Sequence, residues 1–145
     1  MKHLFTFSML CALVLSFSMC RSAAGTEDFS AAVKLAESGE YIDVDLHKLS
    51  DELSVADTKA SASLKADRDK AYAALYRFYS HVQLVDSSYV CSIKSPEEIN
   101  VSASVYETLK ENLDDMNRQI GELRSSGEKV SLPAIDEDYL KSLLR

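Results

Sequence analysis

Hydrophobic positions in this chain fall into one dense block near the start and a series of periodic stripes after it. The block runs from Leu4 to Met19 behind Lys2 and His3, and Ser22, Ala23, Ala24 and Gly25 follow it. A basic start, an apolar run and small residues at a cleavage point make a secretory signal peptide. That pattern predicts removal of residues 1–25 and an exported mature chain, periplasmic or secreted. A membrane span needs roughly 18 or more uninterrupted apolar residues. Thr6, Ser8, Ser16 and Ser18 interrupt this shorter run, so no transmembrane span is expected in the mature chain. Cys20 offers the alternative of a lipid anchor, although Phe17 and Met19 stand where a lipoprotein signal carries Leu and a small residue.

The first long stripe is Leu64, Ala71, Leu75, Phe78, Val82, Val85 and Tyr89, spaced three and four apart after Ala71. That period belongs to one face of a helix, and Ser50 followed by Asp51 and Glu52 makes a favourable helix start. The spacing predicts a central helix over about 50–88, which Ser61 and Ser63 could bend or break. Tyr72, Tyr76 and Tyr79 lie beside the stripe and widen it, so this helix should touch more than one neighbour.

The second stripe is Tyr106, Leu109, Leu113, Met116, Ile120 and Leu123, closed by Ser125, Ser126 and Gly127. Ser95, Pro96, Glu97 and Glu98 read as an N-cap, a first-turn proline and a capping-box glutamate. They predict a helix over 96–126, with Ser104 and Glu107 offering a later start. Shorter helices are predicted over 27–38 (Phe29, Ala32, Val33, Ala36, stopping at Gly39) and 134–144 (Ile135, Tyr139, Leu140, Leu143, Leu144). Tyr41 to Leu46 alternates apolar and acidic residues. This permits a short strand but, with no second strand to pair with, reads as an extended linker. Short connections fold apolar stripes onto each other. The expected fold is therefore all-α: an antiparallel helical hairpin or a small three- to four-helix bundle, forming a single domain over 26–145.

Charge narrows the partners. Loss of the leader removes Lys2 and Arg21 and no acid, which moves the net charge from −7 to about −9. So acidic a chain repels nucleic acid and anionic lipid surfaces, and nucleic acid is not expected as a partner. Of Cys11, Cys20 and Cys91, only Cys91 lies beyond the leader, so no internal disulfide is expected.

Candidate chemistry is sparse. His47, His81 and Cys91 are far apart and match no metal-ligand spacing, so no metal or cofactor is expected. The acidic groups Asp43 with Asp45, Asp114 with Asp115, and Asp136 to Asp138 lack the regular oxygens and glycine of a calcium loop. No nucleophile elbow or phosphate-binding glycine turn occurs, and no catalytic residue is nominated. Asn100, Val101 and Ser102 match the short glycosylation pattern, which arises often by chance. Tyr72, Tyr76 and Tyr79 make the candidate interaction surface, with core packing as the opposing reading. The 96–126 seam also raises pairing of two chains. The flanking Lys110, Asn112, Asn117, Gln119 and Arg124 do not form the opposed charge series that selects a dimer partner.

The expected function is a non-enzymatic binding or interaction module of the cell envelope or extracellular space, with a protein or envelope component as partner. Two alternatives stand beside it: a small extracytoplasmic enzyme whose groups converge only in three dimensions, and an envelope protein lipid-anchored through Cys20.

Overall fold

A computed structural model describes residues 30–55 and 62–144. The leader, Cys20 and Phe29 lie outside the described residues, as does the 56–61 stretch of the expected central helix. Among the described residues the elements are α1 (Ser30–Ser38), α2 (Leu46–Val55), α3 (Ala62–Tyr79), β1 (Val82–Val85), β2 (Ser88–Cys91), a 3₁₀ turn (Pro96–Ile99), α4 (Ala103–Ser125) and α5 (Glu137–Ser142).

The fold is mixed α/β, which corrects the all-α expectation. The expected helix over 50–88 stops at Tyr79, and an antiparallel β-hairpin occupies 82–91. Val82, Val85 and Tyr89 satisfy a helical period, but the pairing follows a period of two. Val82, Leu84, Tyr89 and Cys91 turn inward, and Gln83, Val85, Ser88 and Val90 face water. Asp86 (φ 46°) and Ser87 (φ 71°) supply the two positive φ values of a type I′ turn. No helix can pass through such a pair.

Helix α3 is central. From Ala71 to Tyr79 every side chain but Tyr76 is buried, and the helix packs against α1, α2, α4 and the 3₁₀ turn. The α4 seam is buried in the same core: Val105, Tyr106, Leu109, Leu113, Met116 and Ile120 all face inward. The Phe78 and Tyr106 rings meet edge to face with centroids 6.3 Å apart, joining the two long helices.

Boundaries follow local chemistry. Ser95 to Glu98 does open a helical turn, with Glu98 Oε1 accepting from the N–H groups of Ser95 (3.2 Å) and Lys94 (2.9 Å). The turn stops after one revolution because Asn100 enters the left-handed region at φ 52°. Helix α4 starts afresh at Ala103, where Ser102 caps the Val105 N–H. Asp45, rather than Ser50, caps α2 through the Lys48 N–H at 2.9 Å. Asp136 caps α5 through the Tyr139 N–H at 2.8 Å. Gly39 ends α1 at φ 69°.

The 41–46 stretch is more than a linker. Ile42 forms a parallel bridge with Val101, its N–H donating to Asn100 and its C=O accepting from Ser102, both at 2.8 Å. Ile42, Val44 and Leu46 are buried while Asp43 and Asp45 face water, as the alternation requires.

Candidate functional site

The nine residues from Ala71 to Tyr79 hold a single charged side chain, Arg77, amid alanine, leucine and aromatics. Arg77 is 7% exposed. Its guanidinium lies between the end of α1 and the end of the 3₁₀ turn and donates only to backbone carbonyls. Nη2 reaches Leu35 at 2.6 Å, Nε reaches Ala36 at 3.1 Å, and Nη1 reaches Glu40 at 2.7 Å, Ile99 at 3.1 Å and Asn100 at 3.4 Å. Helix ends leave their last carbonyls unpaired and carry the negative end of the dipole, so a planar five-donor cation suits this position. Burial pulls the Arg77 pKa down from its ordinary value, and the Glu40 carboxylate opposes that shift.

Above this floor a groove of about 250 Å³ opens broadly to solvent. Glu37 and Gly39 line it from the α1 side, Tyr76, Ser80 and His81 from the end of α3, and Glu98 and Asn100 from the 3₁₀ turn. Glu37, His81 and Glu98 are exposed, and Tyr76 is half-buried. The groove thus combines an aromatic wall, two carboxylates and a floor pinned by one guanidinium.

The tyrosine stripe divides. Tyr72 (8% exposed) and Tyr79 (2% exposed) are core, whereas Tyr76 lines the groove. Tyr79 touches Phe78 edge to face at 5.5 Å. Burial, with Tyr139, Tyr89 and Cys91 nearby, pushes its phenol well above the ordinary value. The seam nominated for pairing two chains is occupied within this chain, because Tyr106 to Ile120 packs inward. Cys91 is half-buried and free. Burial pushes its thiol up, which favours the unreactive protonated form. Among the described residues no three His, Cys, Asp or Glu side chains converge as metal ligands, and no helix is long and apolar enough to cross a membrane.

Two of the side chains flanking the α4 seam, Asn117 and Arg124, organise the rest. Asn117 reaches from α4 to β2, accepting from the Tyr89 N–H at 2.8 Å and donating to the Tyr89 C=O at 2.7 Å. One helical repeat of seven later, Arg124 donates to the Ser87 carbonyl at 2.7 Å, fixing the hairpin turn. The Tyr89 hydroxyl then donates to Pro133 at 2.8 Å, tying the C-terminal segment to the hairpin. For Arg77 the available signal is an isolated charge in an apolar window; for Asn117 and Arg124 it is their common seven-residue spacing. The chain matches no protein-family model, no curated protein and no solved structure.

Proposed function

We propose that this chain is a non-enzymatic binding module, exported by its leader, that engages a basic segment of a partner protein in the groove above Arg77. The observation that carries the reading is the groove itself, which Tyr76 lines together with the exposed Glu37 and Glu98. An aromatic face flanked by carboxylates attracts a lysine or arginine side chain by both charge and ring quadrupole. The net charge of about −9 once the leader is removed steers cationic partners toward the chain from a distance. The openness of the groove supports a protein segment as ligand over a small substrate, which enzymes normally enclose.

Capture from the envelope and secreted fractions of the source cells tests this, comparing the wild type with a Tyr76→Ser, Glu37→Gln double variant. The reading expects a basic protein that is captured by the wild type, lost at high salt and at least roughly tenfold depleted with the variant. Equal capture by both at every salt concentration would overturn it. Mass spectrometry of the mature N-terminus tests export: a start at Gly25 or Thr26 supports a soluble exported form, and an acylated Cys20 replaces it with a lipid-anchored one.

A further inference from the structure

The fold gives Asn100, Val101 and Ser102 a context that the sequence pattern lacks. An N-glycan acceptor is Asn-X-Ser/Thr with X other than proline, and in an exported protein it belongs on a surface loop. The chain has three asparagines, Asn100, Asn112 and Asn117, and only Asn100 is followed two positions later by Ser or Thr. It is exposed, and it lies in the connection between the 3₁₀ turn and α4. Glu98, two residues ahead of it, also meets the stricter bacterial form of the pattern, which asks for a carboxylate at that place.

The polar groups around the acceptor are engaged, and the acceptor amide is not. The Asn100 N–H donates to Glu97 within the 3₁₀ turn, and its C=O accepts from Ile42 and Arg77. Ser102 Oγ caps α4. Among the described residues the side-chain amide of Asn100 makes no hydrogen bond. Val101 is 2% exposed and Ser102 8% exposed, so in the folded chain an enzyme cannot reach the hydroxyl that identifies the acceptor. Transfer to the unfolded chain during export meets that constraint, and folding then leaves the modified asparagine in water without displacing a buried contact.

We propose that Asn100 is an N-glycosylation site, which receives an oligosaccharide from a lipid diphosphate carrier before the exported chain folds. Nδ2 of Asn100 forms a bond to the anomeric carbon of the first sugar and gives up one proton. The bond from that carbon to the diphosphate oxygen breaks, and its electron pair leaves with the lipid diphosphate. Asn100 also borders the groove above Arg77, so the glycan stands beside its opening. The proposal rests on export by the leader and not on the ligand assigned to the groove.

Tryptic mapping of the protein from the envelope and secreted fractions of the source cells tests it. The peptide from Ser95 to Lys110 holds Asn100 as its only asparagine, and electron-transfer fragmentation should place a sugar mass on that residue. Asn100→Asp, which keeps a residue suited to φ 52°, should abolish the sugar mass with an unchanged circular dichroism spectrum. Ser102→Ala should abolish it as well, whereas Ser102→Thr, which keeps both the helix cap and the acceptor pattern, should retain it. Glu98→Gln, which can still close the capping box, should abolish it where the bacterial form of the pattern operates and spare it where the simpler form does. An exported wild type whose Asn100 is bare, a sugar carried on a hydroxyl of the same peptide, or a sugar that survives Asn100→Asp would overturn the proposal and leave export standing. A bare Asn100 in a chain that retains its leader would overturn both.

Discussion

Asn117 holds Tyr89 by both of its main-chain polar groups, so the side chain of a helix completes the edge of a strand. A two-stranded hairpin is marginal alone; this one is fastened to α4 at Tyr89 and again at Ser87 through Arg124. Asn117→Ala should remove both hydrogen bonds that the amide makes to the part-buried main chain of Tyr89. We expect a loss of about 1–3 kcal/mol in urea unfolding. Hydrogen exchange localises the effect, with the Tyr89 amide losing protection before the α3 amides. A variant as stable as the wild type would mean that water replaces the amide at no cost.

Arg77 ties the end of α1 to the 3₁₀ turn through five carbonyls, and those carbonyls need a planar fork. Arg77→Lys keeps the charge but concentrates three donors at one point, so most of the bonds are lost. Hydrogen bonds to charged groups contribute about 1.5–3 kcal/mol each and are not additive. Arg77→Lys should therefore cost about 2 kcal/mol or more in denaturant unfolding, and Arg77→Met should cost more still because it removes every one of these bonds. Equal stability of the lysine variant and the wild type would show that charge, rather than the fork, is what the site needs.

Much of the helical framework is written in the chain. The α4 seam, the Gly39 stop and the helix after Pro133 appear where periodicity and capping chemistry put them. The hairpin is not legible in the same way. Val82, Val85 and Tyr89 continue the α3 spacing, and the turn uses Asp86–Ser87 in place of a glycine-containing pair, so the strongest hairpin signal is missing. What decides is tertiary: α4 supplies Asn117 and Arg124 to hold the strand. The groove is likewise assembled from residues more than 60 positions apart, Ala36 to Asn100, so no sequence window contains it. Of the three tyrosines nominated as a surface, helical spacing placed them side by side but could not say which of them the fold would bury.

Tyr79 makes stability fall at alkaline pH. Its buried phenol has a pKa raised above the ordinary value of 10.0, so the unfolded chain ionises first. The contribution is complete below the unfolded value and is lost as pH rises from there toward the folded value, at about 1.4 kcal/mol per pH unit from this group. Tyr79→Phe removes the ionisation while keeping the ring against Phe78. Its stability should decline less steeply than the wild type above pH 10 in pH-dependent urea unfolding. Parallel alkaline limbs for the two proteins would locate the effect in other tyrosines.

Ser87 sits at φ 71° in the hairpin turn, a conformation that disfavours a side chain. Its carbonyl, not its side chain, receives Arg124, so glycine preserves the hydrogen bond that ties the turn to α4. Ser87→Gly should thus relieve roughly 1 kcal/mol of backbone strain, partly offset by the greater freedom of glycine in the unfolded chain, and raise the melting temperature by a few degrees. Ser88 is the internal control: it is exposed like Ser87 but lies in β2 with extended geometry. There glycine brings only the entropic loss, and Ser88→Gly should lower stability by about 0.5–1 kcal/mol. Opposite signs at adjacent serines are what a type I′ hairpin requires. In a helix running through both positions, the two substitutions would destabilise alike.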